Sequence, residues 1–490
     1  MSSKITAQRP NKRTKIVATL GPASADKETM RQMIFAGLDV FRINFSHGKY
    51  EEIAQWVEFI KELQSELGLP VAIMGDLRGP RIRVGEMENG SVTLDDDQQL
   101  ILSNTELIGN KERVSISFPE LWKDVEPGAL ILLDDGNIEL EVEELKSGGD
   151  IVCRVVQGGE LSSRRGLNLP GRRLNVPSLT EKDFADIDFA IEQGFDFLAL
   201  SFVQSADDVR LLNALLAAKR SKIPVIAKIE RKNALDDLDN IVKEAYGVMV
   251  ARGDLALEMT IQDVPIAQKR IISACRRASI PVITATQMLE SMVEMHKPTR
   301  AEATDVANAI LDGTDALMLS GETAIGKYPA NVIATMSLIA VHTEQAWMRG
   351  ELAGPAPLPA PEEIDANIAY LAKIAAESIS AKAIVIHTTT GGTARRVACH
   401  RPTIPILALS AVAESRRLLA LTWGVVAAKV EVIENTRHMV FMTFEQVTQR
   451  GLAQPGDLLV ITAGTPYSTA GRTNLLKVEE IPRKLVMPAI

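Results

Sequence analysis

The stretch GVMVARGDLALEM, residues 247–259, places Arg252, Gly253 and Asp254 directly after five apolar or small residues. A buried strand does not end on charge without cause, because an unpaired buried charge is very costly. Taken alone, the stretch reads as a strand-to-helix turn whose Asp caps the next helix. The pattern repeats, however. Apolar runs at 15–22, 38–48, 71–80, 195–203, 223–230, 247–255, 280–288 and 315–323 carry, near their ends, Arg42 with Asn44, Asp76, Ser201, Lys228 with Glu230, Asp254, Thr286 and Ser320. Polar groups at the ends of successive strands are hard to explain as core or caps. Glu230 and Asp254 are two carboxylates suited to Mg²⁺ or Mn²⁺, and no His pair nearby argues for zinc. Lys228 stands two residues before Glu230, so in a strand both point to the same side. It could form a Schiff base or clamp an anion; adjacent carboxylates keep it charged and favour the clamp. Arg42 is a bidentate donor for phosphate or carboxylate. Gly253 lets backbone N–H groups at a helix start approach an anion. Thr286 is a neutral hydroxyl that can orient water or pass a proton. Metal, Lys, Arg and helix N-terminus together suit phosphoryl transfer, which is mostly positioning and charge stabilisation.

These groups need a scaffold that brings all strand ends to one mouth. Continuous apolar strands alternating with helix-like segments such as SADDVRLLNALLAAKR indicate a parallel sheet covered on both faces. Eight such units predict a closed (β/α)8 TIM barrel, whose active site lies at the C-terminal strand ends. The expected barrel spans 1–76 and 178–345. Between them, 77–177 is rich in alternating patterns such as ALILLDDGNIELEVEEL, and reads as an inserted all-β domain of antiparallel strands, a β-barrel lid placed to close over the mouth. After a Pro/Ala/Gly linker in GELAGPAPLPAPEE, the runs AIVIHTT, PILALS, GVVAAKV and DLLVITAG predict a C-terminal open-sheet α/β domain over 346–490.

The chain has 490 residues, 46% hydrophobic and 24% charged, within the range of soluble globular proteins made of two or three domains. A net charge of −9 disfavours broad nucleic-acid or anionic-membrane binding. Cys153, Cys275 and Cys399 are too scattered for a disulfide framework or a zinc motif and fit a reducing, cytoplasmic setting. The polar, basic start MSSKITAQRPNKRTK lacks the apolar region of a signal peptide and is expected to be a loose arm; no run is long enough to span a membrane.

FRINFSHG, GLNLPG, AKIE, MVARGDL, ATQMLESM, PTRAEATDVANAILDGTDALMLSGETAIGKYP and TNLLKVEE resemble blocks of the pyruvate kinase family, and the likeness covers nearly the whole chain. The resemblance implies phosphoryl transfer from phosphoenolpyruvate to ADP, giving pyruvate and ATP, the final step of glycolysis. It implies that Lys228 stabilises the phosphoryl group in flight, with Arg42 contacting it. It implies that Glu230 and Asp254 hold Mg²⁺, that the backbone of Gly253 and Asp254 binds the carboxylate, and that Thr286 assists protonation, with Ser320 and Glu322 as candidates for a relay. Asn44, Phe45, Ser46 and His47, with Arg83 and Arg165, match nucleotide-contacting positions. Thr388, Thr389, Thr390, Gly391, Gly392 and Thr393, in a Thr/Gly turn between strand and helix, match a loop that binds a phosphorylated activator. A lone His400 is expected to be structural. A homotetramer is implied.

Three departures stand out. The third strand ends in DLRGPRIR, where the family has Asp-Thr-Lys-Gly-Pro-Glu-Ile-Arg, so Leu77, Arg78 and Arg81 are substitutions. Potassium-dependent relatives hold K⁺ at positions matching Asn44, Ser46, Asp76 and Leu77, and carry Glu where Arg81 stands. A tethered guanidinium can replace a monovalent cation, so Arg81 predicts potassium independence; the competing expectation is a surface-pointing Arg with the cation still bound. Arg165 stands for a Lys and Gln204 for a basic residue. Two other readings compete: a metal-dependent lyase on a phosphoenolpyruvate/pyruvate-type barrel, and a catalytically dead sugar-phosphate sensor.

Overall fold

A computed structural model describes residues 9–172, 174–466 and 472–483. Eight parallel strands close a barrel in sequential order. They are β1 (Lys15–Thr19), β2 (Val40–Asn44), β3 (Ala72–Asp76), β4 (Phe197–Leu200), β5 (Val225–Ile229), β6 (Gly247–Ala251), β7 (Val282–Ala285) and β8 (Ala316–Leu319). Each falls within one of the apolar runs, because strands buried on both faces leave no alternation. Outward-facing residues pack under helices such as Tyr50–Leu67 and Val264–Ala278. Inward-facing Val17, Val40, Met74, Phe197, Met249 and Met318 fill the barrel. Gly75 in β3 is required by packing, since a Cβ there would lie 2.6 Å from the Phe45 ring.

The insertion is all-β. Its main sheet has six strands, with Leu167–Asn168 and Arg113–Ser115 at the two edges. Segment 82–85 bridges both edges through Arg83 with Gly166 and Val84 with Ile116, which rolls the sheet round. One pair departs from the antiparallel expectation: Gln99–Ser103 and Arg113–Ser115 run parallel. The C-terminal domain is an open sheet of five strands; the first four are parallel, and Leu475–Glu480 pairs antiparallel with Leu458–Ala463.

The C-terminal domain docks on the floor of the barrel. Its Ala420 and Leu421 join the inner barrel core. Three carboxylates at strand starts organise this end of the barrel, two of them through arginines of the C-terminal domain. Asp196, before β4, accepts Ile73 N at 2.9 Å and Arg417 Nε at 2.7 Å. Asp315, before β8, accepts Val282 N at 3.1 Å and lies 3.2 Å from Arg401. Asp39, before β2, accepts Ile16 N at 2.9 Å and pairs with Arg9 and Lys12. The N-terminal stretch is therefore not a loose arm from residue 9 onward: Arg9 Nε donates to Ile34 O at 3.1 Å, at the carbonyl-rich end of a helix, and Arg13 Nη1 donates to Pro402 O at 2.5 Å. Residues 1–8 lie outside the described residues. No helix among the described residues is long and apolar enough to cross a membrane.

Burial alone would push the Asp39 carboxyl up, but Lys12, Lys15 and Arg9 together draw it down to about 2. A carboxyl depressed on folding stabilises above its unfolded value and loses that contribution as pH falls through the folded one. Asp39→Asn should thus cost about 2 kcal/mol at pH 7 and flatten the loss of thermal midpoint between pH ~4 and ~2. An unchanged acid limb in thermal melts would contradict this.

Candidate active site

The strand ends meet at one mouth. Asp76, ending β3, accepts Arg42 Nε from β2 at 2.7 Å and Lys228 Nζ from β5 at 3.2 Å. Arg42 Nη1 also donates to Thr19 Oγ1 of β1 at 2.8 Å. Lys228 donates to Ser201 Oγ at 2.7 Å and lies 2.8 Å from Glu230 Oε1. Glu230 Oε2 accepts Phe202 N at 2.6 Å, and Phe202 takes φ 55° to present that N–H. Burial would lower the Lys228 pKa, yet Asp76 and Glu230 hold it well above the ordinary lysine value. Burial would raise the Asp76 pKa, and Lys228 and Arg42 bring it below the usual value instead. Lys228 is thus a fixed ammonium, which disfavours a Schiff base and suits an anion clamp.

Across the mouth, Gly253 N donates to Thr286 Oγ1 at 2.9 Å, and that hydroxyl donates to Ala285 O at 2.7 Å. Glu322 is buried and accepts Ser320 N at 2.6 Å and Leu289 N at 3.2 Å, with its pKa raised by burial. Asp254 lines the cavity at the mouth, whereas Gly253, Thr286, Ser320 and Glu322 lie outside its lining. That cavity, about 260 Å³, is walled by Arg42, Asp76, Lys228, Glu230 and Asp254 of the barrel, by Asn44, Ser46 and His47, and by Arg78, Arg81 and Arg83 where the insertion begins. A small polar chamber with this density of cations suits phosphate-bearing ligands.

Two expected nucleotide positions fall elsewhere. The Phe45 side chain is buried against Phe195, with ring centroids 5.5 Å apart, so it belongs to the core. Arg165 is paired to Asp134 at 3.1 Å and lies outside the cavity lining. Arg81 lines the cavity and pairs with Asp135 of the insertion at 3.0 Å. Glu230 and Asp254 fit a hard divalent cation. Burial raises the Glu230 pKa and Asp254 raises it further, a repulsion that a cation would relieve. Among the described residues no cluster of three or more His, Cys, Asp or Glu could hold a metal, so an ion here would complete its shell with water and substrate oxygens, as Mg²⁺ does.

Comparison with known proteins decides between the readings. Residues 11–333 match the family described as "Pyruvate kinase, barrel domain" and residues 366–479 match "Pyruvate kinase, alpha/beta domain". The chain belongs to the pyruvate kinase family. The pyruvate kinase of Geobacillus stearothermophilus is 44% identical over 96% of this chain and 80% of its own length. That of Mycobacterium tuberculosis strain H37Rv is 41% identical over 96% of this chain and 98% of its own. The crystal structure of a pyruvate kinase from Cryptosporidium parvum superposes with a TM-score of 0.90, at 35% identity, covering 96% of this chain and 97% of that one. The chain is accordingly an enzyme of the pyruvate kinase family.

Two residues, Gln204 and Arg252, stand where motif reading did not lead, while His400 is structural as expected. Gln204 bonds the Leu174 backbone in both directions, at 3.1 and 3.0 Å, and so pins the return of the insertion to the barrel. An uncharged amide does this where an ammonium could not accept. Arg252, from the opening stretch, lies outside the cavity lining and bonds the β7 end instead. His400 is buried 5.2 Å from the Tyr370 ring, and burial lowers its pKa to about 4, as a structural histidine requires. Thr388, Thr389, Thr390, Gly392 and Thr393 line a cavity of about 280 Å³ with Arg396, Glu431 and Arg472, while Gly391 takes φ 81° and donates to Thr388 Oγ1 at 2.9 Å.

Proposed function

We propose that this mouth transfers the phosphoryl group of phosphoenolpyruvate to ADP, and that the observation carrying the reading is Lys228, held charged by Asp76, Ser201 and Glu230 beside Arg42 and a carboxylate pair. Lys228 and Arg42 contact the phosphoryl oxygens and take up charge as the bond to the enol oxygen breaks and the bond to the ADP β-phosphate forms. Glu230 and Asp254 would hold Mg²⁺ (or Mn²⁺), which would supply charge neutralisation of the substrate oxygens. The N–H groups of Gly253 and Asp254 receive the substrate carboxylate. The enolate left behind takes a proton at its methylene carbon, assisted by Thr286 at the edge of the cavity; Ser320 and Glu322, hydrogen-bonded to each other through the Ser320 N–H, stand behind it as a relay. Asn44, Ser46, His47 and Arg83 receive the nucleotide, with Arg165 in reach only if it leaves Asp134. The insertion closes over the mouth and excludes water, which would otherwise take the phosphoryl group. Pyruvate released only when ADP is present tests this reading; ADP-independent cleavage would favour a lyase, and ligand binding without turnover a sensor.

The Thr388–Thr393 loop is inferred to take a phosphorylated activator, with Arg396 and Arg472 as its cations. The same reading includes a homotetramer and a cytoplasmic setting, the latter supported by three cysteines that are all free and buried.

Arg81 stands in for K⁺ in this reading. It lines the catalytic cavity, which supports a cationic role over a surface one. Oxygens at three of the four positions that would bind K⁺, all but Ser46, already carry protein donors. Asn44 Oδ1 accepts Ser46 N at 3.0 Å, Leu77 O accepts Ser201 Oγ at 2.7 Å, and Asp76 holds Arg42 and Lys228. Arg81→Glu should lower the rate in potassium-free buffer at least about tenfold and let KCl restore it, since one lost charge contact of ~1.4 kcal/mol is worth that factor. A variant indifferent to KCl at full rate would remove Arg81 from the account.

A further inference from the structure

Arg252 opens the helix Arg252–Glu258, immediately after β6, and yet its side chain turns from the mouth toward the end of β7. Nε donates to Ala285 O at 3.2 Å and Nη2 donates to Thr286 O at 2.6 Å. Nη2 also touches the Met288 sulfur. The far edge is anchored as well: Nη1 donates to Asp305 at 2.8 Å, on the helix Arg300–Asp312, and to Gln268 Oε1 at 3.4 Å, on the helix Val264–Ala278. One planar guanidinium therefore spans two consecutive carbonyls of one turn and two helices behind it. That geometry belongs to arginine, whose donors form a rigid fork.

The turn it grips is strained. Thr286 has φ 68° and Gln287 φ 53°, two left-handed residues in succession, the first of them β-branched. A β-branched residue in that region is an outlier that persists only where its surroundings over-determine it. The conformation has a consequence for chemistry. It lays Thr286 Oγ1 between Gly253 N at 2.9 Å and Ala285 O at 2.7 Å, so the hydroxyl bridges β6 and β7 at the rim of the mouth. Its backbone is held from the carbonyl side by Arg252, and only the side-chain torsion remains to it. The hydroxyl also occupies the Gly253 N–H that the proposed function gives to the substrate carboxylate, so carboxylate binding releases Thr286 as it arrives.

We propose that Arg252 is a positioning residue for proton delivery: it holds the strained β7 turn that sets the Thr286 hydroxyl beside the reacting enolate, without touching substrate itself. This rests on the assignment of Thr286 to protonation in the proposed function. The companion fixing points are Asp305 and, more weakly, Gln268. The opening puzzle of a charge at the end of a buried strand resolves in the same way. Arg252 is neither a cap nor a ligand group but a tie between two neighbouring strand ends.

The test compares Arg252→Lys, Thr286→Val and the double variant, in the full chain, with two readouts. One is steady-state turnover with phosphoenolpyruvate, ADP and Mg²⁺. The other is exchange of the pyruvate methyl protons into D₂O, followed by NMR with ATP and Mg²⁺ present. Lysine keeps the charge but loses the fork. We expect Arg252→Lys to lower kcat about 100-fold, with the KM for phosphoenolpyruvate within about threefold of wild type. Exchange should fall in parallel, and the solvent isotope effect on kcat should rise toward that of Thr286→Val. The double variant should be no slower than the slower single, because both changes act through one hydroxyl. Asp305→Asn, which loosens the same guanidinium from behind, should show a smaller fall with the same pattern, and it decides the matter if Arg252→Lys lowers the thermal midpoint severely. Wild-type exchange in Arg252→Lys beside slow exchange in Thr286→Val would overturn the role of Arg252 and leave Thr286 standing. Multiplying losses in the double variant would do the same. Wild-type exchange in Thr286→Val would overturn the Thr286 assignment and the role of Arg252 with it.

Discussion

Lys228→Met is expected to lower kcat about a thousandfold, the scale seen when one preorganised electrostatic donor is removed from a transition state. Methionine keeps the unbranched shape, one atom shorter, and removes the charge, so the loss reports electrostatics more than packing. The ammonium is buried among Asp76, Ser201 and Glu230 and has no route to leave them. Its removal faces Asp76 and Glu230 toward each other, with only Arg42 still paired to Asp76. Stripping one partner from a buried ion pair costs about 3–5 kcal/mol, so the thermal midpoint should fall together with the rate. Neutralisation of Glu230, whose pKa burial and Asp254 already raise, would offset part of that cost at low pH. The variant's deficit against wild type should therefore shrink as pH falls, as that of Asp39→Asn does, but through Glu230 taking up a proton. A variant with near-normal kcat would remove Lys228 from the centre of the mechanism.

Glu230→Gln should raise the Mg²⁺ concentration needed for half-maximal rate by about 100-fold, toward the upper end of what disturbed metal coordination usually costs. Asp254→Asn should act alike, and the pair should be less than additive because both serve one ion. Glu230 has a second duty, and the two can be separated. Its Oε2 receives Phe202 N at 2.6 Å and its Oε1 faces Lys228 at 2.8 Å. An amide oxygen can still receive Phe202 N, so the β4 end should stay in place while the charge is lost. Direct titration with Mn²⁺ checks the metal separately from turnover. Metal affinity unchanged in both single variants would place the ion elsewhere.

The barrel was legible because parallel strands covered on both faces are written as unbroken apolar runs, and because their ends carry polar groups that a core would reject. Arg42, Asp76, Ser201, Lys228, Glu230 and Asp254 follow directly from that, and all six line one cavity. The starts of the same strands were not legible. Asp39, Asp196 and Asp315 stand at the first or second place of the runs at 38–48, 195–203 and 315–323, and look like ordinary polar residues entering a strand. Arg417 and Arg401, the partners of the latter two, come from another domain late in the chain, a pairing that no local pattern records. Phe45 sits inside a matching motif, yet its ring fills the space that Gly75 leaves open, so motif membership does not separate a contact from its support. Segment 82–85 makes only isolated bridges, too few residues to show a strand period, although it closes the inserted sheet. Arg252 was visible as a puzzle rather than as an answer, because a side chain that bonds carbonyls on the next strand has no sequence signature.

The central claim is that this mouth moves a phosphoryl group from phosphoenolpyruvate to ADP with its own arginine in place of a bound monovalent cation. The most direct test is the initial rate of pyruvate formation, coupled to lactate dehydrogenase, from phosphoenolpyruvate, ADP and Mg²⁺ in tetramethylammonium buffer with and without KCl. The account predicts ADP-dependent pyruvate formation at a rate that KCl does not change. A rate that appears only with KCl would keep the transfer and contradict the role of Arg81, and no pyruvate in either buffer, with sugar phosphates present, would contradict the account as a whole.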